Sequence, residues 1–278
     1  MVSMYVLMCP CITDPGLRAK GITRDDDIFC FNRCIERCDR FGIEVVGLPC
    51  PETIFLGKDR TPTNFAESLA NDDFSELLDR LEARVREIIK EKGEPLCIIG
   101  VDSSPSCGVN MTYATEEKTP GRGAFLSRFH EFRAIDVTDF CRYKIYLAGP
   151  LFTEAETDFN LKLHNFLEEH LFDVYLPQEV GDTSVTRHKE EHARIFGMHL
   201  ASLEDCDYIV SVVDGADADS GTSWEMGYGY AKGKTVISLR TDFRCVGCHE
   251  FVNLMLEESS VVVRRKEDIL KELGILLL

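Results

Sequence analysis

The chain reads as an α/β protein of two three-layer domains, each with a mainly parallel sheet covered by helices, and three observations predict this. Short apolar runs alternate with amphipathic stretches along the 278 residues, and strands that alternate with helices pair in parallel. The alternation starts afresh at Lys144, and a chain of this length exceeds the roughly 100–150 residues of one domain. Tyr208 to Val213 is a nearly unbroken β-branched run, as a strand buried on both faces requires.

In the first half, Met4 to Met8 reads as a strand, about Asp27 to Phe41 as a helix and Ile43 to Leu48 as the second strand. From about Phe65 to Lys90, Leu69, Phe74, Leu77, Leu78, Leu81, Val85, Ile88 and Ile89 mark one broad apolar face. Lys92-Gly93 then supplies a basic residue and a glycine, a helix stop. Leu96 to Val101 is the third strand. Ser103 to Arg122 is a polar loop with Gly108, Pro120 and Gly121, and loops of that length are commonly functional. The boundary falls near Thr138 to Tyr143, giving domains 1–140 and 141–278.

In the second half, Ile145 to Ala148 is a strand, and Phe159, Leu163, Phe166, Leu167 and Leu171 mark a helix face. A short strand at Asp173 to Leu176 and a helix from about His188 to Glu204 follow. Next come the Tyr208 strand, a helix bearing Glu225, a strand at Thr235 to Leu239, another at Val261 to Val263 and a helix through Leu273. This order is flavodoxin- or Rossmann-like. Neither an internal repeat nor a low-complexity linker separates the halves.

Composition narrows the function. Acidic residues outnumber basic ones 48 to 31, a net charge of −17, which repels polyanions and leaves no basic stripe for nucleic acid. A small neutral or chelated substrate is expected instead. Met1 to Met8 lacks the basic segment of a signal peptide, and no apolar run reaches the roughly 18 residues of a membrane span, so the reading is cytoplasmic with no membrane partner. Twelve cysteines in such a chain point to thiols, thiolate ligands or core residues rather than disulfides.

Asp219 to Tyr228 is the most informative segment, because it sets Glu225 where a polar loop turns into a helix beyond a buried strand. Strand ends in open α/β sheets face the ligand crevice. A carboxylate in the first helical turn is held ionised by the helix dipole, and such a Glu can act as a nucleophile. Together with Tyr146 to Phe152, Arg240 to Arg244 and Val252 to Met255, this segment resembles the nucleoside 2-deoxyribosyltransferase family over about residues 143–278. The resemblance implies that Glu225 attacks the anomeric carbon and that Asp219 holds the nucleophile and a sugar hydroxyl. It also implies that Tyr146 orients Glu225, that Gly149 lets the backbone approach the base, and that Asn253 reaches the sugar of a neighbouring subunit, hence a homo-oligomer. The family's usual base-assisting Asp lies eight residues before the Asp that opens the next strand; counted back from Asp207, that place holds His199. Histidine can donate a proton near neutral pH, and it can equally be a packing residue. Trp224 and Tyr228 are expected to pack on the sheet.

In the first half, Cys11, Cys50 and Cys107 each follow a strand, and a parallel sheet brings those ends to one edge. Converging thiolates can hold a soft metal or an iron–sulfur cluster, although three buried core cysteines would look the same. The words Cys9-Pro10-Cys11-Ile12-Thr13-Asp14-Pro15, Leu48-Pro49-Cys50-Pro51-Glu52 and Ser104-Pro105-Ser106-Cys107-Gly108 resemble the thiouracil desulfurase family over roughly residues 3–137. That resemblance implies a [4Fe-4S] cluster on Cys11, Cys50 and Cys107, with one iron open to the sulfur of a thiolated base. Glu52 and Ser104 would handle protons and position the substrate, and Cys9 remains an alternative to Cys11. Cys30, Cys34 and Cys38 share a helix face suited to a core or interface, Cys97, Cys141 and Cys206 look structural, and Cys245-Val246-Gly247-Cys248 has zinc spacing without a second pair.

The expectation is a bifunctional enzyme acting on a nucleoside or nucleobase, possibly thiolated, that combines N-glycosidic cleavage or deoxyribosyl transfer with desulfuration of a thiolated pyrimidine. A non-catalytic nucleoside or redox sensor and a zinc-binding structural module are the other readings.

Overall fold

A computed structural model describes residues 4–179, 189–247 and 249–274. The chain divides into two compact units, residues 1–142 and 143–278.

The first unit holds strands β1 (Tyr5–Met8), β2 (Glu44–Gly47) and β3 (Ile98–Gly100), a two-stranded antiparallel ribbon of β4 (Met111–Thr112) and β5 (Thr119–Pro120), and β6 (Ala134–Asp136). The four main strands lie in the order β2-β1-β3-β6 and are all parallel. Its helices are α1 (Pro10–Thr13), α2 (Asp25–Arg40), α3 (Pro51–Leu56), α4 (Phe65–Ser68), α5 (Asp72–Lys92) and α6 (Val137–Phe140). All four residues of β1 are buried, as suits a central strand covered on both faces. Because β2 and β3 flank β1 on opposite sides, the carboxyl ends of β1 and β3 diverge at a topological switch point, where ligand crevices form.

Three expectations change in this unit. The amphipathic stretch from Phe65 is two helices, because the Asn71 side chain accepts a hydrogen bond from the Phe74 amide at 2.9 Å and starts α5 anew, as an N-cap does. Leu69 is nevertheless buried, as are Phe74, Leu77, Leu78, Leu81 and Val85, so the apolar face is continuous although the helix is not. The polar loop from Ser103 contains the β4–β5 ribbon, and β6 is a strand the sequence pattern did not disclose. Gly93, at φ +90°, ends α5.

The second unit holds β7 (Lys144–Ala148), β8 (Asp173–Tyr175), β9 (Tyr208–Val212), β10 (Thr235–Leu239) and β11 (Val261–Val263), with α7 (Glu154–Glu169), α8 (Lys189–Asp205), α9 (Ser220–Ala231), α10 (Leu254–Glu257) and α11 (Lys266–Glu272). Its five strands are parallel in the order β11-β10-β9-β7-β8. The switch point lies between β7 and β9. Asp207 anchors the start of β7 by accepting the amides of Tyr143 and Lys144 at 2.9 Å each. A capping box of Thr153 and Glu156 opens α7, satisfying amides that the helix cannot. The expected helix start at His188 lies outside the described residues. Among the described residues, no helix is long and apolar enough to cross a membrane.

Helix α9 sits close on the sheet because Gly229 has no side chain: a Cβ there would come within 2.1 Å of Ile209 Cδ1 on β9. Met226 is fully buried in the same cluster as Tyr146, Ile209 and Val236, each such side chain contributing about 1.5–3 kcal/mol on burial. With Met226 fixed in the core, its neighbour Glu225 is carried to the rim of the sheet.

Candidate functional site

In the second unit the site is built from β7, β8, α8 and α9. The Asp219 carboxylate caps α9, its Oδ2 accepting the Thr222 amide at 3.0 Å. Glu225 is the sixth residue of α9, in the second turn rather than the expected first. Tyr146 rises from β7 and its hydroxyl donates to Glu225 Oε1 at 2.5 Å. Burial drives the Glu225 carboxyl up to about 7; the Tyr146 hydrogen bond pulls the other way, and the Asp219 charge adds to the rise. The expectation that the helix dipole keeps Glu225 ionised is therefore corrected. Beyond the first turn the dipole has faded, and desolvation of the charged form dominates.

Glu225 lines a cavity of about 320 Å³ together with Phe196, His199, Leu200, Leu203, Gly221 and Trp224. Glu225 and His199 thus face one space. Tyr175, which ends β8, lies 3.0 Å by its hydroxyl from His199 Nδ1 and stacks on Tyr146 with ring centroids 5.3 Å apart. No sequence signal singled out Tyr175, although its place opposite Tyr146 in a parallel pair could have done so. Trp224 departs from expectation: it is 48% exposed and stacks on Tyr228 at 5.3 Å, with Phe196 edge-on to it at 5.7 Å. Helix α9 turns Trp224 toward the cavity because Met226 takes the sheet-facing position.

Residues 142–243 match the family model described as nucleoside 2-deoxyribosyltransferase like. Within this deoxyribosyltransferase-like segment, Gly149 has a packing reason for lacking a side chain, since a Cβ would stand 3.0 Å from Asn160 Oδ1. The Asn160 amide is buried and donates to Pro150 O at 2.8 Å, shaping the turn after β7. Asn253 lies beyond the segment; it is exposed and caps α10, accepting the Met255 amide at 3.0 Å.

A conserved protein from Enterococcus faecalis V583 is 29% identical over 48% of this chain and 98% of its own, with a TM-score of 0.41. The 2-deoxyribosyltransferase of Bacillus psychrosaccharolyticus is 26% identical over 45% of this chain and 89% of its own, TM-score 0.41. A [4Fe-4S]-dependent thiouracil desulfidase is 17% identical over 48% of this chain and 91% of its own, TM-score 0.34. No curated protein matches the chain.

In the first unit, Cys11, Cys50 and Cys107 line one cavity of about 450 Å³ with Glu52, Ser104, Arg18 and Arg60. Cys9 is fully buried and is absent from that wall, so of the two alternatives Cys11 is the one that faces the space. Cys50 caps α3 and its sulfur accepts the Thr53 amide at 3.4 Å. Ser104 donates to Glu52 Oε1 at 2.9 Å and accepts the Cys107 amide at 3.0 Å. Arg60 Nη2 stands 3.4 Å from Glu52 Oε2. Burial, then the neighbouring Cys107 and Cys50, push the Cys11 thiol up. A hydrogen bond to Cys9 and then burial do the same for Cys107.

Among the described residues, no group of three or more His, Cys, Asp or Glu is gathered to hold a metal ion. The donor chemistry is that of soft ligands, three sulfurs lining one cavity beside two guanidinium groups, and thiolates of this kind suit an iron–sulfur cluster. Cys34, Cys38, Cys97, Cys141 and Cys206 are buried and packed as expected. Cys245 is exposed, and Cys248 lies outside the described residues.

Proposed function

We propose that this is an enzyme of modified-nucleoside metabolism, in which residues 141–278 cleave or exchange an N-glycosidic bond and residues 1–140 remove sulfur from a thiolated pyrimidine. The observation that carries the first activity is the Tyr146–Glu225 hydrogen bond beside a cavity that also holds His199, within a deoxyribosyltransferase-like segment.

In this reading the ionised Glu225 attacks C1′ while the C1′–N bond breaks and its electron pair passes to the base. His199 supplies a proton to the departing base, leaving a glycosyl ester on Glu225. Water or a second base then attacks C1′, its proton returns to His199 and Glu225 leaves as carboxylate. One group as nucleophile and one as acid is what a glycosidic transition state of oxocarbenium character needs. Asp219 adds negative charge near the developing cation, and Asn253 would complete the sugar site of a neighbouring copy in a homo-oligomer.

For the first unit, Cys11, Cys50 and Cys107 would hold a [4Fe-4S] cluster, which when bound supplies an open iron for a substrate sulfur. Glu52, held by Ser104 and Arg60, would take a proton from the water whose oxygen replaces the sulfur at the base carbon, and the sulfur would leave as sulfide.

The test is turnover of deoxynucleosides and thionucleosides with free base and sulfide as separate readouts. Base release that survives Glu225→Ala removes the nucleophile assigned here. Sulfide that never forms after anaerobic iron reconstitution removes the second activity and leaves the first standing.

A further inference from the structure

We infer that Trp224 and Phe196 form an aromatic corner that holds the nucleobase, so that the second unit selects substrates by the flatness of the base; this rests on the glycosidic reading of that unit. The cavity beside Glu225 holds one carboxylate and one imidazole, and its other side chains, Phe196, Leu200, Leu203 and Trp224, are apolar. A sugar needs partners for its hydroxyls and finds none on that apolar wall. A base needs a surface for its ring face, and aromatic side chains supply one. At about 320 Å³ the cavity lies at the lower end of the roughly 300–1,000 Å³ of ligand pockets, a size for a small molecule.

Two large apolar side chains stay exposed there, Trp224 at 48% and Phe196 at 52%. Exposed apolar residues scattered singly are ordinary, whereas a contiguous pair on a cavity wall points to a ligand. The rings meet at 61° with centroids 5.7 Å apart, as the two walls of a corner. Trp224 comes from α9 and Phe196 from α8, and Tyr228 ties these helices together. Its ring stacks on Trp224 at 5.3 Å with planes 14° apart, and its hydroxyl donates to Glu204 Oε1 on α8 at 2.8 Å. The indole is therefore oriented before any ligand arrives.

Tyr228 takes one face of the indole. On a helix, the residues that would cover the other lie three or four positions earlier. Those residues are Ser220 and Gly221, and Gly221 has no side chain and lines the same cavity. An added Cβ at Gly221 would meet only Asp219 Oδ2 within 4 Å, so the space beside it is otherwise open. Because Trp224 and Glu225 are consecutive, a base laid on the indole leaves its sugar next to the carboxylate.

The substrate class follows. Every aromatic base has a π face, so the corner accepts purine and pyrimidine nucleosides alike. It discriminates against rings that have lost their planarity, such as 5,6-dihydropyrimidines, although their polar groups are unchanged.

Trp224 is the one tryptophan of the chain, so its fluorescence reports the contact directly. The experiment titrates Glu225→Gln, chosen so that the ligand is not consumed, with 2′-deoxyuridine, 2′-deoxyadenosine and 5,6-dihydro-2′-deoxyuridine, reading tryptophan emission and heat of binding together. Free adenine, which has no glycosidic bond, gives the same titration on wild type. The aromatic ligands are expected to quench the emission, and the dihydro compound to bind about 10-fold more weakly than 2′-deoxyuridine. In turnover, Trp224→Ala should raise KM about 10-fold and leave kcat within a factor of about three, because stacking binds ground and transition states alike. Trp224→Phe should recover most of that loss.

Binding that leaves the emission unchanged, equal affinity for the dihydro compound, or a fall in kcat without a change in KM overturns the proposal. Emission that responds to protein concentration and not to nucleoside assigns the rings to a contact between copies, which overturns it as well. Nucleosides that quench the emission but are never cleaved by wild type remove the glycosidic reading and leave the stacking site. Cleavage with a silent tryptophan does the reverse, and neither binding nor cleavage removes both.

Discussion

The Tyr146 hydroxyl donates to Glu225 Oε1 at 2.5 Å across the gap between strand and helix, and this bond opposes the burial that drives the Glu225 carboxyl up to about 7. A carboxylate poised near neutrality is a nucleophile only once it has lost its proton. The tyrosine therefore both aims Glu225 and sets the pH at which it becomes competent.

Base release should accordingly rise through about pH 7 on its acidic limb, following ionisation of Glu225. Replacing Tyr146 with Phe removes the group that favours the charged form, so the limb should move to higher pH and the rate at pH 7 should fall. A pH profile of kcat/KM for both proteins checks this, and an unmoved limb would separate Tyr146 from the ionisation of Glu225.

The same shift has a consequence for stability. An unfolded glutamate loses its proton near 4.5, whereas burial pushes the folded Glu225 carboxyl up to about 7, so the folded protein binds more protons between those values. Stability contributed by the neutral acid is present below about 4.5 and is lost as pH rises through 7. Glu225→Gln keeps a neutral group at all pH values and should stabilise the second unit above pH 7, by at most about 3.5 kcal/mol at roughly 1.4 kcal/mol per unit, with no gain near pH 4.5. Urea midpoints at the two pH values test the sign.

The strand–helix alternation, both parallel sheets and the arrival of Cys11, Cys50 and Cys107 at one cavity were legible because apolar runs and the switch-point rule depend only on pattern and order. The break before α5 was not, since the apolar face runs through Leu69 to Phe74 while the Asn71 cap that interrupts the backbone is a single polar residue in a polar stretch. Strand β6 is three residues long, too short for a periodic signal. The protonation of Glu225 was misread because the sequence shows the nearby helix start and hides the burial. Tyr175 was missed for a related reason: a tyrosine ending a short strand looks like any other until its neighbour across the sheet is known to be Tyr146.

Iron should distinguish the cysteines. After anaerobic reconstitution, Cys11→Ser, Cys50→Ser and Cys107→Ser should each lose most of the iron and sulfide that wild type retains. Cys9→Ser should keep it, since Cys9 lies behind the cavity wall. Iron and sulfide analysis with the visible absorption spectrum reads the outcome, and a colourless, iron-free wild type would remove the cluster from this chain.

The wall that carries Cys107 depends on Gly123. A Cβ there would stand 2.4 Å from the carbonyl carbon of Ser106 and 2.7 Å from the Cys107 nitrogen, and backbone atoms cannot rotate aside as a side-chain end can. Gly123→Ala should therefore displace the Ser106–Cys107 peptide, weaken the Cys107 amide's hydrogen bond to Ser104 and cost about 1–3 kcal/mol, as overpacking does. Cys107 is buried, so the displacement has a second signature, a faster reaction of its thiol with a small alkylating reagent. Gly197 on α8 meets nothing within 4 Å of an added Cβ and serves as the control: Gly197→Ala should stabilise its own unit by up to about 1 kcal/mol and leave the alkylation rate of Cys107 unchanged. Mass-spectrometric labelling rates at Cys107 in the two variants decide whether the close packing at Gly123 holds that cysteine in place.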